Sequence, residues 1–328
     1  MMLLRMLLRL SSSRIKKTLS AAKNMATLYT QKSSNIWKTW LLMAMFLVLL
    51  VVVGYFASLY FGNVDILYIA LIISLFMNVL SYWYSDKIAL SMAGARPVNM
   101  QDANEKEIYR ILENLSITAG IPNPRLFIIN DPAPNAFATG RNKEHGAVAV
   151  TTGLLQILDK SELEGVLAHE LSHIGNRDTL LATVVVVLVG LVVLVSNIVT
   201  RSMMFGGGRR RDSNDNQAGL VLMIIGIVFL VLSPIVATVI QLAISRKREF
   251  LADSTGALIT RYPEGLAGAL HKISAYGAPM IHANNAMAHM YISNPFGAKA
   301  VNGISKLFMT HPPVEERIKA LLGDKAGV

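Results

Sequence analysis

His169-Glu170-Leu171-Ser172-His173 is the stretch whose reading decides both the fold and the chemistry. It lies in a segment, Ser161 to Asp178, that reads as helix, with Ser161 and Glu164 spaced as a capping box at its start. Residues four apart on a helix share a face, so both imidazoles can reach one metal ion. Glu170 sits one position round, where it can take a proton from water without itself binding the metal. Two unrelated histidines on an exposed helix would spell the same pentad. The apolar surroundings, Gly165-Val166-Leu167-Ala168 before it and a long apolar run after it, speak against that.

More than half of the 328 residues are hydrophobic and only 16% are charged, too apolar for an ordinary soluble protein. Four uncharged runs reach membrane-spanning length: Leu41 to Phe61, Ile66 to Tyr84, Thr179 to Val199 and Leu220 to Ile244. Spanning takes about 20 apolar residues. Pro234, inside the fourth run, is tolerated as a kink in a membrane helix. The net charge of +10 is uneven, because residues 1–40 hold eight Lys or Arg and no acid. By the positive-inside rule this arm belongs on the cytoplasmic membrane surface. An acid-free, Ser-containing leader also fits an organelle transit peptide, which would place the chain in an organelle membrane. No nucleic-acid motif accompanies the arm. The absence of cysteine removes thiolate metal sites and cysteine nucleophiles.

Five segments follow: a basic arm (1–40), a membrane hairpin (41–85), a first catalytic part carrying the pentad (86–178), a second membrane hairpin (179–244) and a second catalytic part (245–328). The connection from Arg201 to Ala218 carries four arginines, which sits uneasily with an outside location. Within the first catalytic part, Gln101 to Ala119 has the apolar spacing of a helix, at Ile108, Ile111, Leu112 and Leu115. Arg125 to Asn130 and Ala147 to Thr151 read as strands, with Asn135 to Gly140 as an extended piece between them. The expected fold is a mostly α membrane protein with about four transmembrane helices in two hairpins. Its catalytic domain is expected to be cytoplasmic, α+β and zincin-like.

A catalytic zinc site has three protein ligands and an open position. With cysteine absent, the candidates for the third are His145, His271, His282, His289, His311 and the acids. Glu249 stands out, in Ser245-Arg246-Lys247-Arg248-Glu249-Phe250-Leu251-Ala252-Asp253, on the helical continuation of the fourth run. Asp253, one turn on, can accept the free N–H of a ligating imidazole. The same spelling also fits a charged helix surface at a membrane boundary. The pentad favours the ligand reading, since two His and a Glu form a known catalytic zinc set.

Taken together, the pentad, the membrane run after it and the Glu249 to Asp253 motif resemble the HtpX-type membrane zinc metalloproteases, relatives of the CAAX prenyl endopeptidases. Pro134 to Gly140, Val148 to Leu154, and Thr310-His311-Pro312-Pro313 with Arg317 agree in order, and the likeness runs from about Leu41 to Leu322. The resemblance implies one zinc per chain, held by His169, His173 and Glu249. It implies Glu170 as general base and Asp253 as support to the ligands. It also implies an ATP-independent endopeptidase of a bacterial inner membrane, acting on membrane proteins, often misfolded ones, under stress. His311 is the candidate donor to the oxyanion, although its motif also reads as a plain helix-start turn. Arg317 is expected to pair with a local acid or give electrostatic support. Asn135, Ala136 and Phe137 are expected to offer an edge strand to an extended peptide, with a surface loop as the alternative. Met280 to Met290, with His282 and His289, reads as a flap rather than a second metal site. The partners implied are peptide or membrane-protein substrates and the bilayer. Two other functions share these features: a dedicated CAAX-type processing peptidase, and a non-catalytic scaffold around structural zinc.

Overall fold

The computed structural model describes residues 33–190, 246–284, 286–297 and 312–323. Helices α1 (Ser33–Phe61) and α2 (Asp65–Trp83) are both long and apolar enough to cross a membrane. Asn63 Oδ1 accepts the Asp65 N–H at 2.9 Å in the tight connection between them. Their outward faces expose Trp37, Phe56, Ile72 and Phe76. Such a surface is costly in water and at home against lipid. The polarity is inverted inside: α2 buries Ser74, Asn78 and Ser81, each bonded to a carbonyl of its own helix.

After the short helix α3 (Ser85–Met92), four strands form one mixed sheet. They are β1 (Ala95–Pro97), β2 (Arg125–Ile129), β3 (Ala136–Thr139) and β4 (Ala147–Thr151), in the order β1-β2-β4-β3. Only the central β2–β4 pair is parallel. Every residue of β4 is buried, which is why Ala147 to Thr151 carries no polar alternation. β3 lies at one end of this order. β1 has no periodicity to announce it. Helix α4 (Ala103–Ala119) starts on Asp102, whose side chain accepts the N–H groups of Asn104 and Glu105. It ends on Gly120, whose left-handed backbone closes the helix. Its buried stripe contains the four expected positions, Ile108, Ile111, Leu112 and Leu115.

A short α5 (Thr152–Ile157) leads into the central helix, α6 (Lys160–Gly175). Its cap differs from the expected Ser161–Glu164 box. Asp159 accepts the Glu162 N–H while the Glu162 carboxylate accepts the Asp159 N–H, and the Ser161 hydroxyl serves only to brace Asp159. The helix also ends before Asp178. Arg177 adopts a left-handed φ of 58°, and the chain bends by 84° into α7 (Asp178–Gly190). Asp178 therefore opens the next helix instead of closing this one. The last three helices described are α8 (Arg246–Thr260), α9 (Pro263–Ala275) and α10 (Val314–Leu322). The arm through residue 32, the third apolar run beyond Gly190, the 201–218 connection, the fourth run and His311 lie outside the described residues.

The core joins both catalytic parts. Val166, Leu167, Leu171 and Ile174 of α6 pack with Leu112 and Leu115 of α4, Val148 and Val150 of β4, and Leu266 and Leu270 of α9. Met280, Met287 and Met290, expected in a flap, are instead packed with Phe137 and Ala149. At Gly165 the backbone of α9 comes so close to α6 that an added Cβ would lie 2.6 Å from the Leu266 nitrogen. Gly165→Ala is therefore expected to destabilise the protein by about 1–3 kcal/mol, the usual cost of overpacking. Gly175→Ala, where a Cβ meets nothing within 4 Å, should leave stability unchanged or raise it. Thermal unfolding of the two variants in detergent checks this, and equal midpoints would refute the close approach.

Candidate metal centre

Three ligand-type side chains converge where α6 meets α8. His169, His173 and Glu249 each offer an atom within 4.8 Å of the others, the group among the described residues able to hold a metal. The two Nε2 atoms lie 3.1 Å apart. The Glu249 carboxylate stands 3.9 Å from His169 Nε2 and 3.6 Å from His173 Nε2. The helix spacing accounts for the two imidazoles. The third member arrives because α8 buries a stripe of Glu249, Ala252, Asp253 and Gly256, one face of a helix at i, i+3, i+4 and i+7. At Gly256 that face touches the pentad directly, for a Cβ there would lie 3.0 Å from the His169 nitrogen.

A carboxylate stands behind each imidazole. Asp253 Oδ1 lies 2.9 Å from His169 Nδ1, and Asp178 Oδ2 lies 3.0 Å from His173 Nδ1. A proton on Nδ1 facing a carboxylate leaves the Nε2 lone pair pointing into the site. Two lone pairs and a carboxylate aimed at one point repel one another unless a cation joins them. Two imidazoles and one carboxylate are the donor set that borderline-soft zinc takes, so the residues fit that ion.

Around this group the charges are buried and paired. Arg317, 1% exposed, grips Asp253 with both ends of its fork, Nε to Oδ2 at 2.8 Å and Nη2 to Oδ1 at 2.6 Å. A third nitrogen, Nη1, reaches the Ile292 carbonyl and stands 3.8 Å from Glu249. Burial would raise the Asp253 carboxyl, but Arg317 and His169 hold it down at about 2. Burial drives His169 towards its neutral form, against the pull of Asp253. His173 is likewise penalised by burial, yet Asp178, Glu249 and Glu170 outweigh that and carry it up to about 9. A bound divalent cation would compete with that proton for the same nitrogen. Glu170 is 1% exposed; burial pushes its carboxyl up to about 7, while the Ala138 N–H on β3 donates to it and pulls the other way.

The remaining sequence candidates are spread around this centre. Asn135 immediately precedes β3 and is buried; its amide clamps Ser293 at both N–H and C=O. The Ala136 carbonyl accepts the Ile292 N–H at 2.9 Å, and Phe137 meets Tyr291 edge-on at 5.3 Å. His145 is exposed beside Asn142, and His289 Nε2 donates to the Ala182 carbonyl at 3.1 Å. Neither joins the metal group. Three participants were missed in the sequence: Asp178, Arg248 and Asn35. Asp178 read as a helix end, Arg248 as part of an exposed basic cluster, and Asn35 as part of the arm. Arg248 is in fact buried, 3.8 Å from Asp178 and bonded to Asn35.

Known proteases resemble this chain along most of its length. "Protease HtpX homolog" of Caldanaerobacter subterraneus subsp. tengcongensis is 48% identical over 299 residues, 90% of this chain and 97% of the relative. The protein of the same description from Pyrococcus furiosus is 48% identical over 290 residues, covering 88% and 95%. The crystal structure of S. mikatae Ste24p overlaps 89% of this chain and 67% of its own, at 17% identity and a TM-score of 0.44, too loose a likeness to argue from. The model of peptidase family M48 matches residues 102–325. A protease family matching more than half of the chain, with near full-length relatives named as proteases, admits one conclusion: the chain is a metalloprotease and belongs to peptidase family M48.

Proposed function

We propose that this membrane protease is a zinc-dependent, ATP-independent endopeptidase that cleaves misfolded or damaged membrane proteins. The observation that carries the reading is the convergence of His169, His173 and Glu249 beside the buried Glu170, at the foot of membrane-length helices. Three protein ligands suit a catalytic rather than a structural zinc, because a structural site closes the fourth position with protein. The metal, when bound, supplies Lewis acidity and a more acidic water.

The chain's own residues supply the rest. Glu170 takes the proton of the attacking water and returns it to the departing amine nitrogen. Its desolvated carboxyl, near pH 7 in proton affinity, is matched to both halves of that task. Asp253 and Asp178 fix the two imidazoles, and Arg317 keeps Asp253 ionised for its part. His311 is assigned as donor to the oxyanion. An extended substrate would pair along the outer edge of β3, at Asn135, Ala136 and Phe137, once the segment bonded at Ala136 moves aside. Backbone pairing reads shape more than sequence, which suits damaged proteins as substrates. The uneven basic charge supports a catalytic domain on the cytoplasmic side, of a bacterial inner membrane in this reading.

The full chain in detergent is expected to bind one zinc and to cut an unfolded membrane protein without ATP. Cutting confined to a lipid-modified C-terminal peptide would favour the processing reading instead. Glu170→Gln should keep its zinc and lose about 10²–10⁴-fold in cleavage rate, the range for a general base. Full activity in that variant refutes the mechanism. Glu249→Ala should lose zinc and activity together, and metal content at wild-type occupancy would remove Glu249 from the ligands. His311→Ala should retain zinc while kcat falls about 10²–10³-fold; an unchanged kcat would reduce its motif to a turn.

A further inference from the structure

We infer that Asn35, in the first turn of α1, is a positioning residue for the metal centre: its side-chain amide braces Asp178, and through it the imidazole of His173, against Arg248, the neighbour of Glu249. The inference rests on the reading that His173 and Glu249 hold a metal.

Asn35 is buried, 2% exposed, at the start of a helix whose exposed face is apolar. Its two partners lie far off in sequence. Nδ2 donates to Asp178 Oδ1 at 2.6 Å, and Oδ1 accepts from Arg248 Nη1 at 3.2 Å. Only this orientation of the amide satisfies both, since the carboxylate needs a donor and the guanidinium an acceptor. The other oxygen of Asp178, Oδ2, meets His173 Nδ1 at 3.0 Å. The carboxylate is thus held at both oxygens and cannot rotate without losing one contact.

The amide also keeps the arginine in check. Arg248 Nη1 stands 3.8 Å from Asp178 Oδ1, close enough that a small shift would let the guanidinium take both oxygens in a fork. That pairing would compete for the oxygen that orients His173. With Asn35 between them, Arg248 compensates the buried carboxylate's charge without capturing it. The seat of α1 is fixed independently of the amide, by Leu42, Met43 and Phe46 packed on Leu181, Val184 and Leu188 of α7. Packing and bracing are therefore separable by mutation.

The test measures zinc affinity of the full chain in detergent by competition with a chromogenic chelator, using zinc alone as the probe. Asn35→Ala removes both contacts. Asn35→Asp keeps the shape and the arginine contact but sets a carboxylate against Asp178. Both should weaken zinc about 10–100-fold, as outer partners of metal ligands do. In an Asp178→Ala background, Asn35→Ala should cost nothing further, because the two act in series. Leu42→Ala should lower the unfolding temperature and leave zinc affinity as it was. Wild-type affinity in both Asn35 variants overturns the inference. So does a full additional loss in the double variant, or an equal loss in Leu42→Ala. Should the wild-type chain take up no zinc, the metal reading falls and the inference with it; tight wild-type binding with indifferent Asn35 variants removes the inference alone.

Discussion

Buried charge is the constraint on which the centre depends. Glu170, Asp178, Glu249 and Asp253 are all buried in one neighbourhood, with Arg248 and Arg317 as the buried guanidiniums among the described residues. Charges withdrawn from water are tolerable only when each is paired and hydrogen-bonded. The pairing is asymmetric. Asp253 takes the whole fork of Arg317, whereas Asp178 receives an amide and stays at arm's length from Arg248. A divalent cation would add positive charge where it is lacking, against Glu249 and the two Nε2 atoms. Metal binding and folding of this region should therefore be coupled.

The second constraint is steric, and it determines where the charges can meet. A carboxylate on α8 reaches imidazoles on α6 only if the two backbones nearly touch. Gly256 permits that contact one turn beyond Asp253, and Gly165 lets α9 press on α6 from an adjoining direction. Glu249, Asp253 and Gly256 are thus one stripe with two tasks: the carboxylates act at the centre, and the glycine brings them there. Larger residues at the close approaches would part the helices, and the distances among Glu249, His169 and His173 would open with them.

Much of this was legible before the coordinates, wherever the signal is local. The pentad, the α4 stripe from Ile108 to Leu115 and the buried run Ala147 to Thr151 each carry their own periodicity. Glu249 and Asp253 stood out because four residues on a helix make one face. The cap of α6 was misplaced because Asp159-Lys160-Ser161-Glu162 and Ser161-Glu162-Leu163-Glu164 both satisfy the same spacing, and only the folded chain chooses between them. The bend at Arg177 was invisible, since a left-handed arginine has no spelling. Asn35 and Arg248 were unreadable for a deeper reason. Their meaning lies in partners 143 and 213 residues away, and no periodicity reports such a contact.

The bend has a consequence for how the centre and the membrane are joined. Because α6 stops at Gly175, Asp178 falls in the first turn of α7, where the helix dipole favours a negative charge. The same carboxylate faces back to His173. An unbroken helix would have carried residue 178 five positions past His173, away from the face that bears the imidazoles. The break returns it to that face, at the root of the third apolar run, beside the root of α1. His173 is consequently oriented by a carboxylate that α7 carries and that Asn35 of α1 braces. Losing that brace would free Asp178 to turn before any ligand moved. In this architecture the membrane-length helices are part of the metal centre's own framework.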